Sequence, residues 1–131
     1  MKTTLYASLM MTWLLATSCG DLSSEAKQIV GNYIIPEISQ TEPVMELKRD
    51  ATCVVRAIKP GVLSYSVEGT WNVENDSLVM ALDRSTLKAE GDTLLIGEIP
   101  ARSARRIVEF SDFSLQLENG GVVYYYKRIK N

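Results

Sequence analysis

No histidine occurs among the 131 residues. That absence removes the commonest general base near neutral pH and the commonest metal ligand together. Ser-His-Asp and Cys-His nucleophilic schemes are excluded with it. Cysteine is almost as scarce, with only Cys19 and Cys53. One thiolate among scattered carboxylates makes a poor donor set, so neither a metal nor another cofactor is expected. A strong charge of either sign is also lacking: 14 lysines and arginines stand against 16 aspartates and glutamates. Such a balance gives no reason to expect nucleic acid or another polyanion as partner. Long apolar runs are missing too. The longest, from Leu5 to Ala16, spans about 18 Å as a helix, well short of the roughly 30 Å hydrocarbon core of a bilayer.

What that run does have is context. Lys2 precedes it, and Ala16-Thr17-Ser18 leads into Cys19, the layout of a secretory n-region and h-region followed by small residues. It resembles a bacterial lipoprotein signal, with Leu15 to Ser18 as the lipobox and Cys19 as the acylated first residue of the mature chain. Residues 1–18 are then a signal peptide, 19–28 a lipid-anchored tether with a short helix, and 29–131 one domain. Lipidation supplies about 0.8 kcal/mol of membrane affinity per buried methylene, so palmitate-type chains on Cys19 anchor the protein without a spanning segment. Gly20 and Asp21 after the cysteine do not look like an inner-membrane retention signal, which favours the outer membrane, on its periplasmic or surface face. With Cys19 acylated, Cys53 has no partner in the chain and reads as a small buried residue in Thr52-Cys53-Val54-Val55.

The polar stretch Gly20 to Ser24 reads as a tether. Ser23 or Ser24 caps a brief helix reaching Val30, with Gly31 as its left-handed end. Beyond it the chain reads as strands. In 64–74, Tyr65, Val67, Gly69, Trp71 and Val73 share one face, and Ser66, Glu68, Thr70, Asn72 and Glu74 share the other. This is the alternation of a sheet with one dry face and one wet face. Phe113, Leu115 and Leu117 repeat it, as do Leu78, Met80 and Leu82, and more briefly Leu94 and Ile96. Turn residues punctuate these runs at Lys59-Pro60-Gly61, Glu74-Asn75-Asp76, Glu90-Gly91-Asp92 and Asn119-Gly120-Gly121. The pattern predicts eight to ten antiparallel strands near 32–38, 44–49, 52–58, 63–74, 77–83, 86–90, 93–99, 105–110, 113–118 and 122–129, with an irregular loop at 100–104. So many short strands hide their edges best by closing into a barrel.

Three segments carry a resemblance. Ile29-Val30-Gly31-Asn32-Tyr33, then Gly69-Thr70-Trp71-Asn72-Val73 with Asp76-Ser77-Leu78, then 106–117 from Arg106 to Leu117, are together similar to lipocalin-like domains of small Bacteroidota-type bacterial lipoproteins. The resemblance implies an all-β, up-and-down antiparallel barrel whose interior accepts a small molecule. It implies no catalytic residue.

Inward residues of such a barrel either fill it or line a cavity. Tyr33, Tyr65, Val67, Trp71, Tyr124 and Tyr126 are the candidates for a ligand wall, since tyrosine and tryptophan combine apolar faces with polar tips. Gly69, on the same face, makes room for a guest or relieves crowding beside Trp71. Arg102, Arg105 and Arg106 are the dense basic cluster and the candidates for an anion site, a solvated loop being the plain alternative. Carboxylates fall mainly at turns and on wet faces, which argues against a paired-carboxylate glycosidase. The expectation is a monomeric, non-enzymatic envelope protein binding a small apolar or amphipathic molecule. The alternative is a solid barrel that recruits an envelope protein or glycan.

Overall fold

A computed structural model describes residues 21–129. Among these residues one α-helix leads into eight strands: α1 (Ser24–Gln28), β1 (Gly31–Ile34), β2 (Met45–Leu47), β3 (Thr52–Lys59), β4 (Leu63–Glu74), β5 (Ser77–Gly91), β6 (Arg102–Phe110), β7 (Ser114–Asn119) and β8 (Val122–Ile129). Every strand pairs antiparallel with its neighbour in sequence, and β8 returns to pair with β1 through Tyr33 opposite Arg128. The domain is an all-β, closed up-and-down barrel, as the alternation of apolar residues led us to expect. Among the described residues no helix is long and apolar enough to cross a membrane.

The tight turns sit where their residues demand them. Asn75 and Asp76 both adopt positive φ (50° and 60°), as do Gly120 and Gly121 (60° and 83°), the geometry that matches the twist of two-residue hairpins. Elsewhere the strands differ from the expected set. Segments 77–83 and 86–90 belong to one strand, β5, interrupted where Ser66 faces Lys88 but Glu68 faces Asp83. Asp83 Oδ1 accepts from the backbone and hydroxyl of Ser85, and Thr86 Oγ1 accepts from the Glu68 amide at 2.8 Å. Side chains there replace the ladder, which is why the strand looked like two.

The expected strand 93–99 does not form. Thr93–Leu95 is a single 3-10 turn, capped by the Asp92 carboxylate accepting from the Leu94 amide. Leu94 is 93% exposed, and the inward residue of the segment is Ile99. Short aspartate-capped turns compete well with an edge strand that has no neighbour to pair with. Arg102 to Ala104, expected as loop, begin β6 by pairing with Ala81 to Val79.

The helix is not a spacer. Ser23 caps it, its hydroxyl accepting from the Ala26 amide, while its own amide and hydroxyl donate to Asn72 Oδ1 and to the Val73 carbonyl. Leu22, Ala26 and Ile29 are buried in the barrel core with Tyr33, Leu47, Trp71, Val73, Leu78, Leu115 and Leu117. From Leu22 onward the chain therefore belongs to the domain rather than to a tether, because those three apolar side chains close one end of the barrel. Gly31 is already the first residue of β1 and not a helix terminator.

Candidate functional site

A cavity of about 390 Å³ occupies the end of the barrel opposite the helix. Its position follows from strand polarity. The helix contacts the Asn72 and Val73 end of β4, whereas the cavity is lined by Tyr65 and Val67 of the same strand, with Val55 and Ala57 from β3 and Met80 and Leu82 from β5. Two connections frame the mouth: 35–44, contributing Ile38, and 92–101, contributing Ile99 and Pro100. The walls are mainly apolar, and the volume falls in the range of small-molecule sites.

Four charged residues line this space: Arg56, Lys59, Glu98 and Arg105. Arg105 alternates with Ser103 and Ile107 on the inner face of β6 and stands opposite Leu78. Its Nη1 donates to the Tyr126 hydroxyl at 3.1 Å, and its guanidinium lies 5.8 Å from the Tyr124 ring centre. Its Nε is buried, with no hydrogen-bond partner among the described residues. Burial pushes the Tyr126 phenol above its ordinary pKa, opposed by the neighbouring Arg105. At the rim, Arg56 is occupied by Glu46 and the Pro43 carbonyl, and Lys59 and Glu98 are both exposed.

The structure divides the expected ligand wall. Tyr65, Val67 and Tyr126 line the cavity; Tyr33, Trp71 and Tyr124 do not. Tyr33 is fully buried near the helix end, donating to the Ile29 carbonyl at 2.8 Å and accepting from Arg128 Nε and Nη2 at 3.1 and 2.8 Å. Arg128 Nη2 also reaches the Gln28 carbonyl at 2.8 Å, so the pair latches the helix to β1 and β8. Trp71 is core, its indole N–H donating to the Lys48 carbonyl at 2.9 Å. Tyr124 is 41% exposed.

The three arginines do not form one site. Adjacent strand residues point to opposite faces, so Arg105 faces inward while Arg106 pairs outside with Glu118. Arg102 lies in an outer groove with Asp21, Asp50 and Glu74, carboxylates that oppose an anion there. Gly69 also has a different role from either expected one: a Cβ there would stand 2.0 Å from the Ala81 carbonyl oxygen, so β5 backbone occupies the space. Cys53 is buried, as expected, and among the described residues it is a free thiol; Cys19 lies outside the described residues. The sequence reading missed the contributions of Ile38, Ile99 and Pro100, which sit in loops without periodicity. Met80 and Leu82 were legible as inward residues of β5.

No family model matches this chain, and no curated protein does. Among solved structures, an uncharacterized protein from Bacteroides eggerthii DSM 20697 is similar at a TM-score of 0.45 and 11% identity, over 76% of this chain and 94% of that one.

Proposed function

We propose that this chain is a lipid-anchored envelope protein whose lipocalin-like barrel holds a small apolar or amphipathic molecule without transforming it. The observation that carries the binding reading is the apolar cavity of about 390 Å³ between the 35–44 and 92–101 connections. The anchoring reading rests on the lipobox-like Leu15 to Ser18 before Cys19, and the outer-membrane reading on Gly20-Asp21. Asp21 sits beside the Asn72 end of β4, its carbonyl accepting from Asn72 Nδ2 at 3.1 Å. An anchor two residues earlier holds the helix end toward the lipid and leaves the cavity mouth facing away.

Titration of the purified protein with neutral N-phenyl-1-naphthylamine tests the binding reading. Saturable fluorescence enhancement is expected, and Ala57→Trp, which fills the cavity from β3, should abolish it. Enhancement that survives this substitution places the dye elsewhere and defeats the reading. Cys19→Ala should move the protein out of the membrane fraction; continued retention there defeats lipid anchoring. The alternative, a module that recruits an envelope protein or glycan, is favoured by the exposed Val108, Phe110, Phe113, Val122, Val123 and Tyr125 along β6 to β8 and their turns.

A further inference from the structure

The cavity is mainly apolar, with Arg56, Lys59 and Glu98 at its rim and Ser103 and Arg105 on its inner wall, where Arg105 presents a guanidinium with five N–H groups. Among the described residues one acceptor engages it, the Tyr126 hydroxyl, and Nε is buried without any. Among the described residues no carboxylate forms an ion pair with Arg105. Glu98, the acidic residue lining the same cavity, is exposed on the 92–101 connection at the mouth. Arg105 is half-buried with its Nε fully covered, and a partly desolvated guanidinium without a counter-charge gains when something anionic comes to it. On this strand the chain has an inexpensive alternative, since β6 positions facing the interior also take Ser103 and Ile107.

From this arrangement we infer that the cavity's ligand is an apolar molecule bearing one carboxylate, whose headgroup meets Arg105 and Tyr126 and whose body lies toward Val55, Val67 and Leu82. The inference rests on the binding reading above and specifies its ligand. Arginine's planar fork matches a carboxylate in a bidentate manner. Because the Tyr126 hydroxyl accepts from Arg105, its own O–H is left to donate to the same headgroup. The volume sets the size: at about 30 Å³ per water-sized group, 390 Å³ holds on the order of a dozen non-hydrogen atoms, which suits a medium-chain fatty acid. The rest of the wall offers packing and few polar partners, so discrimination is assigned to the headgroup.

Competition against bound N-phenyl-1-naphthylamine, with decanoate and 1-decanol as paired competitors, tests this. At pH 8 decanoate should compete about tenfold or more better than decanol, the size of one buried charge-assisted contact. Arg105→Met should remove that preference while leaving decanol competition in place. In the unaltered protein the preference should also vanish below about pH 4, where the carboxylate is protonated, an arm that needs no variant to fold. Equal competition by the two ligands at pH 8, or a preference that survives Arg105→Met, overturns the carboxylate inference and leaves the binding reading standing. Failure of the dye and of both competitors to bind defeats both.

Discussion

Replacing Tyr33 by phenylalanine keeps the buried ring and deletes one oxygen that holds the helix end of the barrel together. That hydroxyl donates to the Ile29 carbonyl at 2.8 Å and accepts two bonds from Arg128. A neutral buried hydrogen bond contributes about 0.5–1.5 kcal/mol and one to a charged group about 1.5–3 kcal/mol. Arg128 keeps the Gln28 carbonyl and is only half-buried, so its loss belongs at the low end of that range. The expected destabilisation is roughly 2–3 kcal/mol, a large part of the roughly 5–15 kcal/mol that holds a domain folded. Urea unfolding followed by far-UV circular dichroism and Trp71 fluorescence should show a lower midpoint with an unchanged slope. Because Tyr33 does not line the cavity, N-phenyl-1-naphthylamine binding should survive the substitution. A loss below about 0.5 kcal/mol would refute the latch, and weakened dye binding would return Tyr33 to the ligand wall. The pH dependence adds an independent check. Burial raises the Tyr33 phenol above its ordinary pKa, partly offset by Arg128, so its contribution is complete below the unfolded pKa of about 10. It is lost as pH rises through the folded value, and Tyr33→Phe should lessen that alkaline loss.

Trp71→Ala should destabilise the domain by about 3–5 kcal/mol, since the ring is 3% exposed within the core and its N–H is bonded to Lys48. A near-neutral denaturation midpoint would place the ring on the surface instead. Burial pushes the Cys53 thiol up to about 11, so stability is unaffected by this group below about pH 9 and falls as pH rises from there through 11. Cys53→Ala should flatten that fall by about 2–3 kcal/mol at pH 11 relative to its own neutral value; parallel curves for the two proteins would contradict the assignment. Gly69→Ala forces β5 backbone aside at Ala81 and should lower stability by about 1–3 kcal/mol, measured by thermal unfolding. An unchanged melting temperature would mean that the strands separate there without strain.

How far each feature was legible depended on whether its cause is local. The period-two alternation of Tyr65 to Val73 marks a half-buried strand wherever that strand is placed, and β4 has the expected span. Asn75-Asp76 and Gly120-Gly121 carry their turn geometry with them. Leu94 and Ile96 show the limit of the same rule: two apolar residues alternate, but Asp92 caps a turn and no neighbouring strand accepts them. The polar stretch Gly20 to Ser24 read as a tether because Leu22, Ala26 and Ile29 are too few to show a helical period.

By itself, the sequence determined the strand pattern, the inward face of β4, the hairpin turns, the burial of Cys53 and the absence of histidine chemistry. Each of these is written in neighbouring residues and needs no distant contact. Only the tertiary structure decided that β8 closes on β1, that the helix stoppers one end, and that the other end stays open around Arg105. It also decided which tyrosines meet that space. Tyr33, Tyr124 and Tyr126 are alike in composition and alternation, and what separates a latch, an exposed ring and a cavity wall is their height along the barrel. That height is set by strand register and by the segments that cover each end, which depend on contacts between residues far apart in the chain.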